Sequence, residues 1–383
     1  LARAAFRELP ASGQDVARSL GLGHMRQFLR VSLPQARPAI AAGTAIVMME
    51  TLNDFGTVDY FAVQTLTTGI FSIWLESYDP GGAAQLAVLA ALIVAGLLGL
   101  EKIGRRRARF NKSGRQMAPI QPQRLSSRQG AAVLLYCLVP IGLGFLIPLM
   151  VLVAPVVSDL SLWNDPGLWR AAGHSLALGG VSAGLVVLFA TAMVLGVQKS
   201  SGAWKKSLLT LTTLGYAFPG AILGLGILIP LAVFDNWLAD LIFATFRRDP
   251  GLLLTGSAGA LIVAYCVRFF AIGVGAAEAG LAAISTNIPL AASTLGRPPK
   301  DVALNIYQPL MRGSLASAMV LVFVDTVKEL PATLLLRPFN FDTLSTHVYG
   351  QASLENFHAS APAALLIITL SLGAIYLLAK AHR

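Results

Sequence analysis

Apolar stretches of about 20 residues recur along most of this chain, the length an α-helix needs to cross a hydrocarbon core about 30 Å thick. Of the 383 residues, 55% are hydrophobic and 13% are charged, against about 25% charged in a soluble domain. Most of the stretches are apolar on every face, where a soluble helix would show one apolar stripe. The sequence predicts an all-α, polytopic transmembrane helical bundle. Eight spans are expected, near 37–56, 85–101, 131–157, 172–197, 208–234, 252–272, 311–330 and 361–380. In the fifth, Pro219, Gly220, Gly224 and Gly226 interrupt the pattern. Close helix packing through Gly220 and Gly224 and a broken helix lining a pathway are both open there.

Lys and Arg set the orientation. The formal charge is +10, and nine basic residues lie between Lys102 and Arg128 with no acid among them. Such loops are retained on the cytoplasmic side, so the charge points to topology and to membrane lipid, not to nucleic acid. Lys199, Lys205 and Lys206, then Lys380 and Arg383, fit the same side. Segments 57–84, 158–171, 235–251 and 331–360 then face outward, with Trp163, Trp169 and Trp237 at the interface. The polar stretch 111–130 reads as a cytoplasmic linker between a first half (1–110) and a second half of six spans (131–383). Cys137 and Cys266 fall inside expected spans, and the five histidines do not pair at ligand spacing, so no metal site is indicated.

One segment occurs twice, 275 positions apart. The first copy has Asp15-Val16-Ala17, Gly21, nine residues, then Val31-Ser32-Leu33-Pro34. The second, within a loop near 276–309, has Leu290-Ala291-Ala292, Gly296, nine residues, then Ile306-Tyr307-Gln308-Pro309. Arg37 matches Arg312, Glu50 matches Asp325, Thr51 matches Thr326, Asp54 matches Glu329, and Trp74 matches Tyr349. A repeat this long predicts two homologous halves. Each copy reads as a short helix, a glycine turn and a second helix ending before proline. About 145 residues separate the linker from the second copy, whereas the chain opens directly in the first. The expectation is a piece of a longer protein, or a missing start.

The spacing resembles the coupling loop of ABC importer permeases, which runs Glu-Ala-Ala, three residues, Gly, nine residues, Ile-x-Leu-Pro. Asp15, Ala17, Gly21, Leu33 and Pro34 carry the match in the first copy. Ala291, Ala292, Gly296, Ile306 and Pro309 carry it in the second, where Leu290 replaces the acid and Gln308 the leucine. The resemblance implies a type I importer permease fold whose loops dock on a cytoplasmic ATPase dimer. ATP and magnesium would sit on that partner, with no cofactor on this chain. A periplasmic or lipid-anchored binding protein would deliver the substrate. No Gly-Lys dipeptide occurs, so the chain carries no phosphate-binding loop.

The fused layout, Ala2-Arg3-Ala4-Ala5-Phe6, the run Glu50–Phe61, Thr65–Ile70, Lys328–Thr333 and Arg337–Leu344 are similar to ferric-iron permeases. Fused thiamine permeases share the layout, and sulfate, molybdate and polyamine permeases share the loop. The expected activity is transport, not covalent catalysis.

Glu50 and Asp54 are four apart, as are Asp325 and Glu329, with Lys328 beside the second pair. An ion in the bilayer centre costs at least about 2.5–3.5 kcal/mol. Two readings are open. The carboxylates line the pathway, where a hard cation takes oxygen ligands. Or they sit near helix ends, capped or paired with Lys328. An ion-gradient transporter would explain the acids but not the paired loops. Arg268 is expected at the cytoplasmic end of its span, snorkelling to headgroups or paired with Glu278.

Overall fold

The computed structural model describes residues 5–6, 11–108, 125–198, 204–212, 214–285 and 287–381. Most of the expected linker (111–124), together with Lys199 and Arg383, lies outside them. Among the described residues there are helices and turns but no strand.

The chain runs α1 Ala11–Ser19, α2 His24–Gln27, α3 Leu33–Asn53, α4 Gly56–Tyr60, α5 Leu66–Leu75 and α6 Pro80–Ala108. It continues as α7 Ser127–Ile141, α8 Ile147–Ser158, α9 Pro166–Gln198, α10 Trp204–Thr212, α11 Leu214–Ala217 and α12 Gly220–Phe246. The last elements are α13 Ala258–Ala282, α14 Asn287–Thr294, α15 Pro299–Val302, α16 Gln308–Val327, α17 Pro331–Leu336, α18 Leu344–Ser353 and α19 Phe357–Ala381. Wide π-helical turns join α2 to α3 (Phe28–Ser32), α7 to α8 (Gly142–Leu146) and α15 to α16 (Ala303–Tyr307).

Seven helical stretches among the described residues are long and apolar enough to cross a membrane: 80–97, 127–158, 166–198, 220–246, 258–282, 299–327 and 357–380. The remaining expected span, near 37–56, is α3, whose apolar part Ala39–Asn53 is shorter. The expected span 208–234 is corrected. It is broken at Phe218–Pro219, and the crossing helix starts at Gly220 and runs to Phe246. Proline has no N–H to donate and disfavours helix in the residue before it. Pro219 therefore separates α11 from α12, standing at the N-cap of the latter. The expected span 252–272 likewise begins later, at Ala258 after its Ser257 cap, and extends to Ala282.

Contacts divide the chain into two units, one of residues 1–53 and 89–147, the other of 54–88 and 148–383. In the first, α1, α2 and the π turn pack on one another and lead into α3. Ala17, Gln27, Ser32 and Ala36 are its buried contacts near the turn.

The second unit is built on α9, α13 and α16, packed mutually. Leu178, Val186, Leu261, Tyr265, Phe269 and Val322 form its core. Small residues permit the close approach. A Cβ on Gly179 would meet Phe323 Cδ2 at 2.9 Å, and one on Gly273 would meet Val186 Cγ1 at 2.8 Å. Such packing replaces hydrophobic drive between helices in lipid. By contrast, helix 127–158 has 0% of its most apolar window buried, as a lipid-facing surface would.

Candidate functional site: paired turns and a buried polar node

The repeated segment folds the same way twice, each copy within its own unit. In the first, Gly21 has φ +74°, its N–H bonds Arg18 O at 2.9 Å, and Leu22 N–H bonds Ala17 O at 3.1 Å. In the second, Gly296 has φ +76°, its N–H bonds Ser293 O at 3.0 Å, and Arg297 N–H bonds Ala292 O at 3.1 Å. This paired bonding is a Schellman helix stop, which needs a left-handed residue four positions after its first acceptor. The Ala-x-x-x-Gly spacing is thus a turn specification, met by the residue with no Cβ penalty. Ala17 and Ala292 are buried at the base of the turn. Asp15, Gly21, Ala291, Gly296 and Pro309 are exposed, while Leu33, Pro34 and Ile306 are partly covered.

The large apolar residues of these helices stand out from the turn. Val16, Leu20 and Met25 are 59%, 74% and 70% exposed, and Leu290 and Leu295 are 62% and 81%. Each copy is therefore a glycine-stopped knob with uncovered apolar side chains. Behind the second knob lies a cavity of about 610 Å³ bordered by Leu209, Glu278, Leu281, Leu290, Ser293 and Tyr307. The π turns 28–32 and 303–307 keep the 275-residue register, as do the starts of α2 and α15 and of α3 and α16.

The acids form a second repeated element. Helix α3 ends at Asn53, one residue before Asp54, so Glu50 and Asp54 do not share a helical run. Asp54 Oδ1 accepts the Thr57 N–H at 3.2 Å, and Asp54 O accepts Thr67 Oγ1–H at 3.1 Å. In the second copy Glu329 Oε1 accepts the Ala332 N–H at 3.1 Å, and Glu329 O accepts Ser345 Oγ–H at 2.7 Å. Each acid caps the short helix after it, and a hydroxyl from the next helix hooks its carbonyl. Thr65 and Thr343 open those next helices with the same capping box. They are 278 apart, so three residues are inserted after α17. The expected match of Trp74 with Tyr349 is therefore out of register, and Trp74 corresponds to Ala352.

The structure separates the Asp325–Lys328 pair from Glu329. Lys328 Nζ bonds Asp325 Oδ1 at 2.8 Å, with the Lys side chain 56% exposed. Glu329 is buried and meets Arg268, its Oε2 3.3 Å from Nε. Arg268 is the residue the sequence misplaced. It lies midway along α13, its side chain 7% exposed, not at a headgroup. Glu278, ten positions further along α13, is exposed and lines the cavity behind the second knob. The sequence signal for Arg268 was its isolation in an apolar span, where ionised groups face the protein interior and pair. Tyr265 OH and Thr333 Oγ1 share a hydrogen bond of 2.6 Å, and Thr333 Oγ1–H also reaches Glu329 O at 2.7 Å.

Above this node, at the end that the basic residues assign to the outside, is a cavity of about 570 Å³. Leu330 and Ser345 form part of its floor, and Asp59, Tyr60, Tyr349 and Phe357 part of its wall. Tyr349 OH donates to Asp59 Oδ2 at 2.9 Å. Burial first, and then this carboxylate, hold the Tyr349 phenol above its ordinary range. The loop leading to it, 337–343, is pinned by His174, stacked on Phe341 at 3.9 Å, and by Ser175 Oγ, which accepts the Leu344 N–H at 2.8 Å. No group of three His, Cys, Asp or Glu able to hold a metal occurs among the described residues.

Residues 1–109 match the family described as binding-protein-dependent transport system inner membrane component. The Fe(3+)-transport system permease protein FbpB 2 of Haemophilus influenzae is 26% identical over 98% of this chain and 72% of its own length. The sulfate transport permease CysT of Salmonella typhimurium is 28% identical over 28% of this chain and 40% of its own. The molybdenum transport permease ModB of Escherichia coli K12 is 28% identical over 28% and 51%. Among solved structures, a bacterial alginate ABC transporter in complex with an alginate-bound periplasmic protein superposes with TM-score 0.53. It is 16% identical, over 66% of this chain and 92% of that one, a likeness of fold.

The class these features resemble is the multi-pass inner-membrane permease of a binding-protein-dependent importer. The likeness to a ferric-iron permease, that of Haemophilus influenzae, runs along nearly all of this chain.

Proposed function

We propose that this chain passes ferric iron through the inner membrane, supplied by an external binding protein and driven by a separate ATPase dimer that carries ATP and magnesium. The observation that carries the reading is the pair of glycine-stopped knobs, 275 residues apart, each with uncovered apolar side chains. Two similarly folded protrusions suit the two clefts that a dimeric ATPase would supply. Iron rests on the likeness to the Haemophilus permease along 98% of the chain. It also suits the oxygen groups of Asp59, Tyr349 and Ser345 at the outer cavity, since a hard cation takes oxygen ligands.

The oxyanion reading draws on the shorter sulfate and molybdenum similarities. The buried cation it would use, Arg268, already faces Glu329. The test is uptake of radioactive iron into proteoliposomes holding the full open reading frame with its neighbouring ATPase and binding protein. Iron that accumulates only with ATP supports the reading. ATP-driven uptake of sulfate, molybdate, thiamine or a polyamine without iron keeps the class and replaces the cargo. Uptake that ignores ATP and collapses with the ion gradient replaces the class.

A further inference from the structure

Three elements of the second unit meet at one charged contact. Arg268 projects from the middle of α13, Glu329 sits in the turn between α16 and α17, and Gly220 opens α12 just after the break at Pro219. A Cβ on Gly220 would fall under 3.0 Å from both Arg268 Nη1 and Glu329 Oε1. A Cβ on Gly215, before the break, would fall under 3.0 Å from Val267 O. The broken helix is thus laid against α13 and the Glu329 turn through glycines on either side of the break.

The contact is more costly than packing requires. Arg268 and Glu329 are 7% and 5% exposed. Arg268 Nε and Nη1 have no hydrogen-bond partner of good geometry among the described residues. The pair is therefore a charge contact at 3.3 Å, not an aligned fork. Replacing a buried pair of this kind by apolar groups of equal shape is often neutral or stabilising. Stability alone therefore does not account for the pair.

Position supplies a use for it. From Arg268 to Ala282 α13 continues for 14 residues, about 21 Å of straight helix. At that end Leu281 and Ala282 border the cavity behind the second knob, with Leu290 of α14 on its other side. At the Glu329 end, the same residue caps α17 and is hooked by Ser345, and Leu330 and Ser345 floor the outer cavity. One continuous helix therefore links the cavity behind the knob to the Glu329 turn, and through Leu330 and Ser345 that turn adjoins the outer cavity.

We infer that Arg268 is a positioning residue for transport: through Glu329 it transmits displacement of the second knob to the floor of the outer cavity. A weakly aligned contact beside a helix break can slide without losing a set of hydrogen bonds, which a two-position joint needs. The inference rests on the ATP-driven reading above, and the primary readout of its test is labelling of the outer cavity.

The test places a reporter in the outer cavity by Ser353→Cys, in a background where Cys137→Ala and Cys266→Ala remove the free thiols. The full transporter with its ATPase is labelled by a water-soluble maleimide, with and without ATP and vanadate. The variants are Arg268→Lys, which keeps the charge but not the reach, and Arg268→Gln with Glu329→Gln together, which leaves no lone buried charge. The expected result is a labelling rate that changes at least about fivefold with nucleotide in the parent and stays flat in both variants. ATP hydrolysis should continue in them, with less iron moved per ATP. Variants that label and couple like the parent would overturn the inference and leave Arg268 a packing residue. If only one variant assembles, that one decides. A parent whose labelling ignores nucleotide while ATP-driven uptake proceeds also overturns it. Absence of both responses overturns the ATP-driven reading and this inference with it.

Discussion

Gly220 and Arg268 are in contact so close that the glycine cannot acquire a side chain without moving the guanidinium: a Cβ would lie under 3.0 Å from Nη1. The same Cβ would crowd Glu329 Oε1 and come 3.2 Å from the Ala332 amide nitrogen. Gly220→Ala should therefore lower stability by about 1–3 kcal/mol, the cost of overpacking a close-packed site. Gly226, six residues along the same helix, is open: a Cβ there would meet nothing within 4 Å. Gly226→Ala should be neutral or stabilising by up to about 1 kcal/mol through helix propensity. Melting temperatures of both variants in detergent check this, and equal temperatures would contradict it.

Adjacent residues in one motif should behave oppositely. Lys328 and Asp325 pair at the surface, so Lys328→Ala should change stability by no more than about 1 kcal/mol. Glu329→Gln strips the partner from a buried Arg268 and should cost about 3–5 kcal/mol. Thermal unfolding of the two variants, side by side, separates them. A mild Glu329→Gln would mean that the guanidinium finds water or another acceptor.

How far the sequence reached follows from what each signal encodes. Helical spans were legible because hydropathy over about 20 residues is a length argument that needs no partner. The glycine stops were legible because φ near +75° selects Gly, so Gly21 and Gly296 mark the turn directly. The placement of Arg268 was not, because an apolar window reports that a helix crosses, not which residue faces its neighbour. The three-residue insertion after α17 was hidden by the same limit. Trp74 and Tyr349 are both aromatic at an unbroken count, whereas the hydroxyls of Thr67 and Ser345 carry the equivalence. The helix break at Pro219 was visible as an open alternative, and the close glycine packing proposed against it is present as well.

Asp235 is a carboxylate inside α12 that serves a loop. Its oxygens accept the N–H groups of Leu253, Leu254 and Thr255 at 3.0, 2.9 and 2.7 Å. Asp235→Asn presents one acceptor oxygen where two were used. Amide exchange at 253–255 should accelerate while the protection of α9 and α13 is kept, since the core of Leu178, Val186 and Tyr265 does not touch this loop. Hydrogen-exchange mass spectrometry reads both regions at once, and unchanged loop exchange would refute the clamp.

The two knobs offer the most direct separation of folding from coupling. A Cβ at Gly21 or Gly296 meets nothing within 4 Å, so alanine there is opposed only by the backbone, at φ +74° and +76°. That conformation costs a residue with a Cβ about 1–2 kcal/mol, confined to a surface turn. Gly21→Ala and Gly296→Ala should therefore leave the melting temperature of the bundle nearly unchanged and reshape the knob. ATP-dependent uptake in proteoliposomes should fall in each single variant and further in the double. Asparagine tolerates the left-handed region better than alanine, so Gly21→Asn and Gly296→Asn should retain more uptake than the alanine variants. That order distinguishes a backbone requirement from a demand for small size, because asparagine is the larger side chain. Uptake that instead tracks side-chain volume would mean the partner cleft packs against the glycine itself.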